Sequence, residues 1–415
     1  MSWGTSTGRS SSVGAGPGSG PRVWRNAGTS WREVLLHGTD VGSVPVIAAL
    51  VGLALVFQAM NPNFLSADNL VNLSLQVSTI GVMTLGMVLV LLVGQVDLSV
   101  GAVSGLAAAT VAVGSVQQGW PLAVAVLAAV ASGAVIGAGY GWVFTRLGVP
   151  SFVLTLAGLL VCQGLQQRVL GATGSLTMPF DSALVRFSQQ LFLPPALAYG
   201  LVGAVLVGGI GLRLRERSRR LLAELPVDPL RPSVVRWAVL GAVALGATWY
   251  LNLNRGIGAS FALFLALVLG ADVLLRRTRW GRSVRAVGSN VGSAHRAGFA
   301  VRRVYVATFT ACAALAALGG VLAAGRLAAA NQGTGGSDTN LTVIAAAVIG
   351  GTSLFGGRGS AWSALLGALV IGSISSGLTL LNLDEAPRYI VTGMVLALAV
   401  TVDALGRRRA SAGER

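Results

Sequence analysis

From residue 43 to residue 405 the chain alternates long apolar runs with short polar or arginine-rich intervals. A helix needs about 20 apolar residues, each rising 1.5 Å, to cross about 30 Å of hydrocarbon. On that yardstick the runs predict twelve spans, near 43–60, 76–95, 98–116, 120–144, 150–169, 192–212, 237–253, 258–275, 304–325, 341–356, 360–382 and 389–405. The run at 341–356 is short for a crossing. It predicts a broken or re-entrant segment over 341–360, and a second interruption is expected near 94–100. The fold class is therefore an all-α polytopic membrane protein with about 12 transmembrane helices, within a range of 10–14. Residues 1–42 are rich in Gly, Ser and Arg without an apolar core, which predicts a disordered tail rather than a cleavable signal.

Arginine gives the orientation. It clusters in the tail before the first span (Arg22, Arg25, Arg32), in loop 213–236, in loop 276–303, and at Arg407, Arg408 and Arg409 of the tail 406–415. Basic residues concentrate on the cytoplasmic side. Twelve crossings put all four clusters, and so both termini, on that side, with residues 43–405 forming the membrane domain.

Composition sharpens the picture. The chain is 53% hydrophobic and 11% charged, against about 25% charged in soluble domains. Its 57 glycines lie inside apolar runs, as close packing of membrane helices tolerates. The net charge is +16, yet the arginines flank apolar segments, so lipid rather than nucleic acid is their expected neighbour. Lysine is absent. That excludes a phosphate-binding Walker A loop and Schiff-base chemistry. Two histidines and two cysteines, scattered along the chain, predict no metal site and no disulfide. Neither a catalytic residue nor a cofactor is expected.

Three stretches carry candidate chemistry. Asp97 interrupts the apolar stretch Val90–Val103. A charge at a helix centre costs about 2.5–3.5 kcal/mol on insertion scales, so it needs a reason. One reading is a cap, with Asp97 accepting the amide of Ser99 or Val100 while Gly94 ends the preceding helix. The other is a broken helix presenting Gln95, Asp97 and Ser99 to a polar path; the two are compatible. The glycine-rich stretch Gly350–Ser360, with Thr352, Ser353 and Arg358, is either a tight packing turn or a close approach to a ligand. Gln163, Gln166, Gln167 and Arg168 close a span at its outer end, where they would line a vestibule. Segment 276–303 mixes arginine with apolar residues at helical spacing. It reads as a helix lying on the membrane surface or as a docking helix for a cytoplasmic partner.

These motifs resemble a known family. GQVDLSVGAV (Gly94 to Val103) resembles the GGIDLSVGS element of sugar-importing ABC-transporter permeases of the ribose, xylose and arabinose group. RWGRSVRAVGSNVGSAHRAGF (Arg279 to Phe299) is similar to that group's cytoplasmic coupling segment. AAAVIGGTSLFGGRGS (Ala345 to Ser360) and NPNFLSADNLVNL (Asn61 to Leu73) are similar to two further family elements. The arginine-rich loop 213–236 with its flanking spans looks like the larger xylose-type permeases. The chain departs from many relatives in having Gly292-Ser293-Ala294 for Glu-Ala-Ala and Ala297-Gly298 for Ser-Gly. It also lacks an acidic residue directly before the Ile-Ala-Ala run, Asp338 lying earlier.

The resemblance implies a permease of the bacterial inner membrane that pairs with itself. It would dock two ATP-binding-cassette subunits, which hydrolyse the ATP, and receive a monosaccharide such as xylose from an extracytoplasmic binding protein. It implies that Gly281, Arg282, Arg285, Gly288, Asn290 and Gly298 belong to the coupling segment. Gln95, Asp97, Ser99, Thr352 and Ser353 would lie near the substrate path. An ion-coupled secondary transporter of a small neutral solute is the alternative. It would need several acidic or histidine relays at mid-membrane, where Asp97 alone interrupts a span.

Overall fold

The structure is a computed structural model that describes residues 43–225, 230–383 and single positions between 386 and 401. The expected tails at 1–42 and 406–415 and most of the expected span 389–405 lie outside the described residues. Among the described residues, nine helices are long and apolar enough to cross a membrane, and two shorter apolar helices, Val44–Met60 and Asp338–Ile349, accompany them.

The main helices are α1 (Ser43–Met60), α2 (Ala67–Leu92), α3 (Val100–Ala112), α4 (Leu122–Leu147), α5 (Ser151–Leu170), a single turn α6 (Ala183–Val185), α7 (Pro195–Leu222), α8 (Leu230–Leu251) and α9 (Ala259–Arg277). After them come α10 (Arg279–Ser289), α11 (Val291–Arg296), α12 (Val301–Leu327), α13 (Ser337–Ile349) and α14 (Ala361–Leu380). Two three-residue strands, β1 (Ser175–Thr177) and β2 (Ala329–Asn331), pair antiparallel.

Helix α2 is the buried axis of the bundle: every residue from Gly81 to Leu92 is buried, as expected of a helical stretch without a polar face. It begins nine residues before the apolar run suggested. Two polar residues of that first stretch bond within the protein, Asn69 Nδ2 donating to the Phe64 carbonyl at 2.7 Å and Gln76 Nε2 to Ser375 Oγ at 3.0 Å, while Asp68 and Asn72 are exposed. Around α2 the helices approach closely through small residues, the packing mode open to membrane helices. On α4 the positions Ala125, Ala129, Gly133, Gly137 and Gly141 recur every fourth residue and are all buried. A Cβ on Gly137 would overlap the Phe309 carbonyl of α12. Gly137→Val is therefore expected to cost about 1–3 kcal/mol by overpacking and to lower the melting temperature of the detergent-purified chain. Gly139→Val, with nothing within 4 Å, is the control. Equal melting of the two variants would show that the close contact at Gly137 does not constrain the packing of α4 on α12.

The basic loop 213–236 is largely helical, as is segment 276–303, where helical spacing was expected. The apolar run 192–212 continues as helix to Leu222, because arginine is a good helix former and Arg220 pairs with Glu216 one turn away at 3.4 Å. Segment 276–303 is the end of α9, then α10 and α11. Both basic regions lie at one end of the bundle, joined by Arg277 and Glu216 at 3.8 Å.

The break expected over 341–360 has a defined form. After β2 the chain turns back into the body, where Gln166 Nε2 donates to the carbonyls of Asn331 and Thr334, both at 2.9 Å. Gly101 N, in the first turn of α3, donates to Asn340 Oδ1. From there α13 runs for only 13 residues, about 20 Å at 1.5 Å each, and ends at the Gly350–Ser360 turn. α14 then returns against it so tightly that a Cβ on Gly367 would overlap the Ala346 carbonyl.

Candidate functional site

The end of the bundle that carries α10 gathers three of the motifs read from the sequence. α2 ends in a glycine C-cap: Gly94 has φ +73°, its amide donates to the Leu91 carbonyl at 2.9 Å, and Gln95 N donates to the Val90 carbonyl at 3.2 Å. This left-handed residue turns the chain out of the helix, a conformation glycine adopts without a side-chain penalty. The chain then runs unhelical until Ser99, the N-cap of α3. Asp97 is fully buried. Its Oδ1 accepts from Ser99 N at 2.8 Å and from Ser99 Oγ at 2.6 Å, and Leu98 N donates to Thr155 Oγ1 of α5 at 3.1 Å. The carboxylate thus fixes the start of α3.

Asp97 Oδ2 faces inward without a hydrogen-bond partner among the described residues, as do Tyr140 Oη, Asn340 Nδ2 and Thr352 Oγ1. The Cys312 thiol of α12 lies beside Asp97, and Tyr140 sits between Ser99 and Cys162. Gln95 is half-buried and neighbours Tyr305. Thr352 and Ser353 are buried in the Gly350–Ser360 turn, where Thr352 N donates to the Ala347 carbonyl at 3.1 Å and Ser353 N to the Arg358 carbonyl at 2.9 Å.

The turn meets the broken helix and the coupling-like segment backbone to backbone. Gly357 N donates to the Leu92 carbonyl, the last residue of α2, at 3.0 Å. A Cβ on Gly288 of α10 would overlap that same carbonyl oxygen and stand 2.8 Å from Gly357 N. A Cβ on Gly356 would stand 2.9 Å from both Gly94 Cα and the Gly288 carbonyl oxygen. Four glycines from three separate stretches therefore form one junction with no side chain between the backbones. A junction packed this closely transmits displacement instead of absorbing it.

α10 itself is strongly two-faced. Gly281, Val284 and Val287 are buried against the body, whereas Arg282 and Arg285 are exposed. Its start is capped by Thr278 Oγ1, which accepts from Gly281 N at 3.1 Å. Asn290 caps α11, its Oδ1 accepting from Ser293 N at 2.8 Å. Gly298 follows α11 in the left-handed region, φ +81°.

Of the residues read as a vestibule, Gln166 is buried and bonded to the re-entering chain, while Gln167 and Arg168 are exposed. Asp272 forms an ion pair with Arg276 at 2.7 Å. Sequence reasoning missed Asn331, Thr334 and Asn340. Polar residues beside glycines look like any outer loop; it is the bonds from Gly101 to Asn340 and from Gln166 to the Asn331 and Thr334 carbonyls that tie this stretch to the body, with Thr334 and Asn340 buried and Asn331 exposed.

The chain matches the family described as branched-chain amino acid transport system / permease component over residues 69–400. It is 35% identical over 366 residues to the xylose transport system permease protein of Escherichia coli (strain K12), covering 88% of this chain and 92% of that protein. The chain belongs to the ribose/xylose family of ABC-transporter sugar permeases. The xylose permease protein of Haemophilus influenzae is 33% identical over 366 residues, covering 88% of this chain and 96% of that one. The ribose import permease protein of Escherichia coli (strain K12) is 33% identical over 358 residues, covering 86% and 92%. No solved structure matches. As a sugar permease of this family the chain is a multi-pass inner-membrane transport component, one that works with ATPase and substrate-binding subunits.

Proposed function

We propose that the chain forms half of the membrane pathway of an ATP-driven monosaccharide importer, with xylose or a similar pentose or hexose as cargo. Two copies pair, two ATP-binding-cassette subunits dock on the arginine-rich end, and an extracytoplasmic binding protein delivers the sugar to the other. On this reading the arginine-rich end and both termini are cytoplasmic, as the positive-inside rule expects. The chain carries no cofactor, the ATP being hydrolysed by the partner.

The observation that carries the proposal is the glycine junction. It connects α10, whose arginines face outward, to the helix break that holds Asp97. The apolar side of α10 is already spent on the body, which favours docking over lying on the membrane surface. In this reading Gln95, Asp97, Ser99, Thr352 and Ser353 stand at a closed gate of the substrate path. Neutral hydroxyl, amide and backbone groups suit an uncharged sugar. The ion-coupled alternative would need several mid-membrane carboxylates or histidines, and among the described residues Asp97 is the one buried carboxylate.

The test is purification of the chain in mild detergent from its native membrane, with uptake measured after reconstitution. Co-purification of an ATP-binding subunit and ATP-dependent uptake of xylose are expected. Uptake driven by an ion gradient through the chain alone sinks the proposal. Within the complex, Arg285→Glu reverses a charge facing the partner and is expected to uncouple, keeping ATP hydrolysis while uptake falls about tenfold, the effect of roughly 1.4 kcal/mol. Unchanged coupling in that variant removes α10 from the docking surface.

A further inference from the structure

Phe355, at the tip of the Gly350–Ser360 turn, is 63% exposed, although its neighbour Leu354 packs against the main core. The turn holds its shape with glycines in the left-handed region, Gly351 at φ +100°, Gly356 at +86° and Gly357 at +74°. It abuts the end of α10, where a Cβ on Gly357 would stand 3.2 Å from Ser289 Cα. Immediately beyond Ser289, Val291 is 45% exposed. Arg285, Arg296 and Arg358, on α10, α11 and the turn itself, are exposed. Neither 276–303 nor 350–360 contains an acidic residue. The result is an exposed aromatic on a turn that abuts α10, in stretches whose only charged side chains are arginines. Interface energy concentrates in central aromatics ringed by polar contacts, and the arginines select a partner of opposite charge.

We infer that the Gly350–Ser360 turn is a second contact onto the ATP-binding subunit, beside α10 and α11, with Phe355 inserted into an apolar recess bordered by carboxylates. The inference rests on the importer reading and adds an element to it. The turn that closes on the helix break also touches the motor directly, so displacement of the ATPase reaches the break through two backbone contacts, Gly288 on Leu92 and Phe355 on Gly94, instead of one.

The experiment uses the chain co-expressed with its ATP-binding subunit. Phe355→Cys, with Cys162 and Cys312 buried, is labelled with a maleimide carrying a benzophenone. Expected are at least about tenfold slower labelling in the assembled complex than in the permease alone, the protection given by a residue central to an interface, and photo-crosslinking to the ATP-binding subunit. Phe180→Cys, 68% exposed and near the strand pair at the far end, should show neither. Phe355→Asp should lose the ATP-binding subunit on purification and Phe355→Leu should keep it. Labelling of Phe355→Cys that is indifferent to assembly, or crosslinks only to lipid or to a second permease, overturns the inference while leaving the importer reading intact. Absence of any ATP-binding subunit from the wild-type preparation overturns both.

Discussion

Replacing Gly288 with alanine is expected to reduce uptake to less than about a tenth of wild type while the chain still inserts and purifies. The added methyl would overlap the Leu92 carbonyl and stand 2.8 Å from Gly357 N. Both are backbone atoms, so no side chain can swing away. Something of the order of an ångström has to move, and forcing a methyl into a packed site costs about 1–3 kcal/mol. The displaced elements are the end of α2 and the turn that accompanies the helix break, so the strain falls on that break rather than on the bundle at large. Gly292→Ala in the neighbouring helix is the internal control, since its Cβ would meet only Asn290 Oδ1 at 3.5 Å and Arg296 Nη1 at 3.6 Å. The readouts are sugar uptake and ATP hydrolysis in reconstituted complexes. Wild-type uptake by Gly288→Ala would show that the junction transmits nothing.

The second large effect is expected at Asp97. Asp97→Ala removes the acceptor of both Ser99 N and Ser99 Oγ from a site without water access. Each buried donor left without an acceptor costs about 1–3 kcal/mol. Uptake should fall by about tenfold or more while insertion persists. Asp97→Asn keeps a carbonyl oxygen for Ser99 and offers an amide in place of the unpartnered Oδ2, so it should retain most of the activity if the residue acts through the cap. Equal loss in both variants would instead assign the function to the carboxylate's charge, and wild-type uptake by Asp97→Ala would remove Asp97 from the gate altogether.

Much of this architecture was legible in the chain because a bilayer imposes length. The apolar runs at 43–60 and 360–382 fall almost residue for residue on α1 and α14. The errors have a common cause. Hydropathy reports where lipid ends, not where a helix ends, so it placed the start of α2 at residue 76 instead of Ala67 and turned the arginine-rich continuation of α7 into a loop. The breaks at Gly94 and Gly350 were visible because glycine and a carboxylate interrupt an apolar run. Their convergence was not. Nothing in the sequence brings Leu92, Gly288 and Gly357 to one point, since no side chain marks a contact made of backbone alone. The return of Asn331–Asn340 into the body was hidden for a related reason, because Gly101 meets Asn340 through an amide that every residue but proline carries.

The pair α7 and α8 leaves the body and rejoins it at one place. Leu193 N donates to the Ile257 carbonyl at 2.9 Å and Ala259 N to the Leu191 carbonyl at 2.8 Å, and Phe192 and Gly258 form an antiparallel bridge between them. Beyond that clasp, contacts of the pair with its host among the described residues include Tyr250 Oη on the Leu65 carbonyl at 2.8 Å and Arg277 with Glu216 at the far tip. In topological terms it is an insertion spliced in at a preformed seam. The path of the host chain is complete without it, so a lineage can gain or shed the pair without re-threading any other helix.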